Sequence, residues 1–106
     1  MKQQSKKTNN NRTMNFDRPL LDLAMNPLLD QDKNEVTLGS RLAPSLSGHN
    51  QGDPMKFMAW AVAVYNKGDL LLDSSEVTIL KAFVNGTLFL NNLEKAQILE
   101  VINNAV

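Results

Sequence analysis

Cysteine is absent from this 106-residue chain. Its absence excludes disulfide bonds, zinc–thiolate sites and a cysteine nucleophile, and it suits a reducing compartment. Long apolar runs are also missing: none approaches the roughly 18 residues that a membrane-spanning helix needs. The first residues lack the apolar core of a secretory signal. A chain of this length is expected to form one small domain.

Residues that commonly carry chemistry are scarce. His49 is the only histidine, and one imidazole without thiolates makes a poor zinc site. The acidic segment that starts at Asp30 imitates a calcium-binding loop, but Glu35 stands where that loop needs glycine and Arg41 where it needs glutamate. There is no G-x-S-x-G motif and no glycine-rich phosphate loop. We therefore expect no cofactor, no metal site and no catalytic residues, and we interpret the protein as non-enzymatic.

Charge is balanced overall but unevenly placed. Residues 1–19 carry five basic side chains and one acidic one, a net charge of +4, and the remainder carries −4. A basic tail is typical of nucleic-acid binding, but also of a solvated, disordered segment. The charges are spread out, with no aromatic residue before Phe16, which favours the second interpretation. We expect residues 1–15 to be disordered. The candidate nucleic-acid contacts are Lys2, Lys6, Lys7, Arg12 and Arg18.

The segment Phe16–Leu29 is apolar and punctuated by Pro19 and Pro27, which disfavours a long helix. We predict an extended arm, followed by a polar turn, across residues 16–36. Such an arm could dock on a partner or exchange into a second copy of the chain, or it could simply cover its own core. The candidate docking residues are Phe16, Leu20, Leu21 and Leu23.

Helix signals dominate the body, residues 37–106. Thr37 can cap a short helix that Pro44 should end or bend, and a flexible loop with His49 follows. Asp53 and Pro54 form a strong helix start. The helix Pro54–Asn66 places Phe57, Trp60, Ala61 and Val64 on one apolar face, which Met58, Val62 and Tyr65 widen. We expect it to be the central, most buried helix.

The pattern G-x-L-x-L-[D/N]-x-x-E occurs twice, at Gly68–Glu76 and at Gly86–Glu94. Each copy predicts a glycine that closes a helix, a short extended link, an N-cap and a capping glutamate. Helices of about 74–85 and 92–104 should follow. The links Leu70–Leu72 and Leu88–Leu90 could pair with each other, or the first could pair with the arm. The sequence leaves open whether two carboxylates act as a catalytic acid and base. Helix capping, however, is a sufficient role for both Glu76 and Glu94.

Four stretches together resemble small proteins encoded in tailed bacteriophages and prophages. They cover about two thirds of the chain, and they consist of caps, stops and core positions. The resemblance implies a viral origin and a host-cytoplasmic setting, and it implies no site residues. The stretches are TLG (Thr37–Gly39), GDPMKFMAWAVAVYNKGDLLLD (Gly52–Asp73), LKAFV (Leu80–Val84) and LEKAQILEVI (Leu93–Ile102).

The sequence thus predicts a mainly α domain over residues 16–106, with three longer helices, one short helix, an extended arm and a minor β pairing. The expected function is that of a phage accessory or adaptor protein. It would act on a host or phage protein by protein–protein contact, in the host cytoplasm or in the virion. Nucleic-acid binding through the basic tail is the alternative, and self-association is a further expectation. No membrane partner is expected.

Overall fold

Helices make up about half of residues 11–106, the part of the protein that the computed structural model describes. The predicted mainly α class, with a minor β pairing, is confirmed. In chain order the elements are β1 (Arg12–Met14), α1 (Leu38–Ser47), α2 (Pro54–Tyr65), β2 (Leu70–Leu72), α3 (Ser74–Gly86) and α4 (Asn92–Asn103).

Helix α1 begins where the sequence predicts. The Thr37 hydroxyl accepts a hydrogen bond from the backbone N–H of Ser40 at 3.1 Å, which satisfies one of the free donors of the first turn. Pro44 does not end this helix, as the sequence allowed, because α1 continues to Ser47. Packing holds the last turn, since Leu46 is fully buried in the core.

Helix α2 is capped as predicted but is less buried than predicted. The Asp53 carboxylate accepts from the N–H groups of Met55 and Lys56 at 3.1 and 3.2 Å. The predicted core face is buried: Phe57, Trp60, Ala61 and Val64. The expectation that α2 is the most buried helix is wrong, because its opposite face meets solvent.

The glycine stops act differently from the prediction. After α2 the left-handed residue is Lys67, with φ of 64°, rather than Gly68. Gly86 is the last residue of α3 and does not follow it, and Thr87 caps that helix. Both N-caps are confirmed, since Asp73 and Asn91 each start a helix with a complete capping box.

The β pairing joins β1 to β2 as an antiparallel ribbon, in which Met14 faces Leu70 and Arg12 faces Leu72. The sequence predicts a pairing of Leu70–Leu72, but the partner is neither Leu88–Leu90 nor the arm. The predicted disorder of residues 1–15 is therefore wrong for Arg12–Met14. Ladder hydrogen bonds and the burial of Met14 hold this strand. Residues 1–10 of the predicted tail lie outside the described residues.

The arm folds back on itself twice. The N–H of Leu20 donates to the carbonyl of Val36 at 2.8 Å, the N–H of Leu28 to Leu20 at 2.8 Å, and the N–H of Val36 to Leu28 at 2.9 Å. Three backbone segments eight residues apart therefore close a ring of hydrogen bonds. This ring gives the arm a defined shape without a regular sheet.

Two equivalent turns connect the three backbone segments of the ring. The Asp22 carboxylate accepts from the N–H groups of residues 24 and 26 at 2.8 and 3.0 Å, and the Asp30 carboxylate accepts from residues 32 and 34 at the same distances. Met25 and Lys33 both adopt a left-handed φ, of 68° and 66°. The sequence carries this repeat as PLLD at 19–22 and again at 27–30. The Asp30 segment is therefore a turn in which backbone N–H groups donate to the carboxylate of Asp30 itself.

Candidate protein-contact site

The predicted docking residues are divided between core and surface. Phe16 and Leu20 are each 1% exposed and belong to the core of their own chain. Their assignment to a partner is corrected, because the arm covers its own core at these positions. Leu21 is half-buried, whereas Leu23 is 93% exposed. Leu23 is thus the member of the predicted set that a partner can reach most fully.

Gln97 of α4 anchors the arm at Leu21. Its amide nitrogen donates to the Leu21 carbonyl at 2.8 Å, and its amide oxygen accepts from the Leu21 N–H at 2.9 Å. One side chain therefore satisfies both backbone groups of a residue 76 positions away. This pairing fixes the arm against α4 and leaves a groove of about 370 Å³ beside it, lined in part by Arg18, Leu21, Met25 and Glu100.

The predicted nucleic-acid residues are only partly placed. Lys2, Lys6 and Lys7 lie outside the described residues. Arg12 lies in β1, and its guanidinium donates to the carbonyl of Ala105 at 3.4 Å. Arg18 is exposed beside the arm groove. Within the described residues, Arg12 thus has a structural partner near the end of the chain.

The carboxylates of the repeated phrase have structural partners. One oxygen of Glu76 accepts from the N–H of its cap residue, Asp73, at 3.0 Å, and the other lies 3.2 Å from Lys56 of α2. Glu94 repeats the arrangement: one oxygen accepts from Asn91 at 2.9 Å, and the other lies 3.4 Å from Nε of Arg41 in α1. The two glutamates therefore start helices and tie them to neighbours.

Hydrogen bonds also favour the ionised form of the Asp73 carboxyl group, the N-cap of α3. The backbone N–H of Glu76 and the hydroxyl of Ser75 both donate to the Asp73 carboxylate, and they hold its pKa below the ordinary value of 3.8. Stabilisation of the ionised form is the physical cause. Asp73 thus remains charged at neutral pH and complements the N-terminus of α3.

His49 packs among aromatic rings. Its imidazole stacks on Phe57 with ring centroids 5.5 Å apart and meets the edge of Phe83 at 4.9 Å. The loop, which the sequence predicts to be flexible, is therefore held at this residue. Across residues 11–106, no group of three or more His, Cys, Asp or Glu side chains could hold a metal ion.

An exposed apolar surface runs along α2. Met55, Met58, Val62 and Tyr65 are 81%, 47%, 52% and 75% exposed. Their spacing of three, four and three residues places them on one line along the helix. We call these four residues the α2 stripe. Between Phe57 and Tyr65 the helix carries no charged residue, so no charge interrupts the stripe from Met58 onward.

A shallow apolar groove lies beside the α2 stripe. It has a volume of about 320 Å³, and its lining includes Ala43, Pro44 and Ser47 from α1. Pro44 contributes a ring without an N–H group, which explains why this part of α1 presents little polarity. The exposed surface of the groove is almost entirely apolar. The groove therefore extends the apolar surface of the stripe onto the neighbouring helix.

The prediction that Met58, Val62 and Tyr65 widen the core face is wrong, because all three side chains are exposed. The signal for a second face is present in their spacing, which continues through Met55. Two apolar lines on one helix predict two packing partners, but the chain supplies a partner for only one of them within residues 11–106.

Searches of protein-family models, of curated proteins and of solved structures found no match to this chain. Within the described part of the chain, no helix has both the length and the apolar character needed to cross a bilayer.

Proposed function

We propose that this protein is a non-enzymatic adaptor that acts by protein–protein contact. The observation that carries the proposal is the presence of two separate exposed apolar surfaces. The first is the α2 stripe, a line of four large apolar side chains exposed on one helix face. The side chains present on the order of 500 Å² of largely apolar surface. Patches of this size on small proteins are often functional.

The arm offers a second contact surface. Leu23 and Met25 stand exposed on the turn that the Asp22 carboxylate holds in place. The arm groove and the groove beside the α2 stripe share no lining residue. Two separate apolar surfaces on one small chain suit an adaptor, which joins one protein to another.

The resemblance to small proteins of tailed phages supplies the biological setting of the proposal. In that setting the protein would assist virion assembly or modulate a host factor, in the host cytoplasm or in the virion. We assign the contact with the host or phage protein to the arm surface, Leu23 and Met25 with the half-buried Leu21.

The test begins with tagged full-length protein and a nuclease-treated lysate of infected cells. Any candidate partner is then purified and titrated against the wild type and against variants by calorimetry. Leu23→Ser/Met25→Ser removes the arm surface, and Leu88→Ser is the matched control because Leu88 is exposed outside both surfaces.

We expect the arm variant to bind a purified partner at least tenfold more weakly than the wild type, and the control to bind equally well. Unchanged binding by the arm variant would contradict the assignment to the arm. A pull-down without any partner protein, with nucleic acid recovered only from a control lysate that was not treated with nuclease, would instead support the basic-tail alternative. The affinity for nucleic acid should then fall steeply with salt and be lost when residues 1–11 are removed.

A further inference from the structure

We propose that the α2 stripe binds a second copy of this chain, in an antiparallel two-fold pairing of α2 with α2. The inference rests on the proposed function, because it names what binds the α2 stripe, one of the two surfaces of the proposed adaptor. It begins from the spacing of Met55, Met58, Val62 and Tyr65. Intervals of three, four and three residues are those of the a and d positions of a coiled-coil seam.

The order of the stripe residues is self-complementary. A two-fold axis level with Trp60 places Met55 opposite Tyr65 of the second copy and Met58 opposite Val62, because both pairs are centred on residue 60. A closed dimer needs such a surface, in which residue i meets j while j meets i. The same register joins a methionine sulfur to an aromatic ring at each end, a favourable contact.

Charge along α2 favours a copy of the same helix. The positions that flank an a/d seam usually carry charges that select a partner, and like charges there oppose self-pairing. Here the flanking positions are Ala59, Ala61 and Asn66, which are uncharged. An antiparallel pairing also places the positive N-terminal end of each helix dipole beside the negative C-terminal end of the other.

Complete burial of the stripe in both chains would just reach the area that a small dimer requires. The stripe residues present on the order of 500 Å² in each chain, and a specific interface buries at least about 1,000 Å² in total. The groove beside the stripe adds the ring of Pro44 to the surface that a second copy would cover. The area therefore fits a reversible dimer at the small end of specific interfaces.

The register predicts a charge-exchange experiment with full-length protein. Met58→Lys and Val62→Glu each place one charge on the seam, at positions that are about half exposed in the monomer. Each variant should fold, with a dilute-solution melting temperature near that of the wild type. Sedimentation equilibrium then gives the association constant of each variant.

We expect the wild type to reach twice the monomer mass as its concentration rises. Each single variant should associate at least tenfold more weakly, because a charge would be buried opposite an apolar side chain. An equimolar mixture of the two variants should recover a dimer, because the lysine introduced in one chain then faces the glutamate introduced in the other across the seam. The control Leu88→Lys, at an exposed residue outside the stripe, should associate like the wild type.

Three results would overturn the proposal: a monomeric wild type at all accessible concentrations, single variants that associate as the wild type does, or a mixture that stays monomeric. The proposed function is judged separately, since partner binding through the arm surface is measured by calorimetry with the Leu23→Ser/Met25→Ser variant. If the protein is a monomer that binds a partner through the arm, the proposed adaptor function stands and the proposed dimer is rejected.

Discussion

Nε of Arg41 lies 3.4 Å from Oε2 of Glu94, which joins α1 to the first turn of α4. The other oxygen of Glu94 accepts from the N–H of Asn91. Glu76 makes the equivalent pair of contacts with Lys56 and Asp73. The phrase that the sequence repeats is therefore an architectural device, in which one glutamate both caps its own helix and holds a helix that comes earlier in the chain.

We expect Arg41→Ala to lower the free energy of unfolding by about 1 kcal/mol, because Glu94 is nearly buried and would lose its charged partner. Lys56→Ala should cost less, since Glu76 is more exposed and surface pairs contribute at most about 1 kcal/mol. Urea titrations measure both values.

The control for the Arg41 pair is Glu94→Gln, which keeps the capping geometry and removes the charge. Arg41→Ala should then cost less in the Glu94→Gln background than in the wild type. An equal cost in both backgrounds would show that Arg41 acts by packing alone.

The lowered pKa of Asp73 predicts a dependence of stability on pH. Because the pKa of the folded state lies below the ordinary 3.8, the contribution of Asp73 is present above that value and is lost as pH falls through the folded pKa. Asp73→Asn keeps an N-cap and removes the titration, as Asn91 does in the second copy of the phrase. The stability difference between wild type and Asp73→Asn should therefore shrink in acid. A difference that stays constant on acidification would contradict the hydrogen-bond origin of the shift.

Two helical glycines should respond oppositely to alanine. A Cβ at Gly86 would meet nothing within 4 Å, so Gly86→Ala should raise the free energy of unfolding by up to about 1 kcal/mol. A Cβ at Gly39 would lie 3.2 to 3.4 Å from Val64 and from the backbone oxygens of Val64 and Phe16. Gly39→Ala should therefore destabilise the protein. Equal stabilisation by both substitutions would contradict the close approach of α1, α2 and the arm at Gly39.

Gln97 should control the order of the arm. Gln97→Leu leaves the N–H and carbonyl of Leu21 without their partners, which costs about 1–3 kcal/mol where these groups are shielded from water. Amide exchange at Leu21 should accelerate, while exchange in α3 stays as slow as in the wild type. Gln97→Glu is the control that retains only an acceptor, and exchange at Leu21 should be intermediate. Unchanged exchange in both variants would contradict the anchoring role.

Local signals in the sequence are sufficient for the helix starts. An N-cap depends on residues three positions apart, so Asp53, Asp73 and Asn91 can each be assigned without knowledge of the fold. The strand Arg12–Met14 cannot be assigned in this way. Its polar residues favour disorder, and its partner is β2, nearly 60 residues away. Pairing at such separations overrides local preference.

The site is harder to predict than the fold. Phe16 and Leu20 are assigned to docking from sequence because an apolar arm looks the same whether it covers its own core or another chain. In α2 both apolar lines have helical spacing, and composition alone does not tell which line the core takes. The PLLD repeat places Leu20 and Leu28 at equivalent positions of the arm's hydrogen-bond ring. The third member of the ring is Val36, where the sequence no longer repeats, so the repeat alone does not predict the ring.

The central claim, that the α2 stripe is a contact surface filled by a second copy, is tested most directly by methyl NMR of the protein's own methionines. With methyl-labelled methionine, spectra are recorded as the concentration rises from roughly 10 μM to roughly 1 mM, the range of a weak dimer. We predict that the signals of Met55 and Met58 shift together with concentration, while buried Met14 and the arm residue Met25 stay fixed. Signals of Met55 and Met58 that do not change over this range would contradict the account.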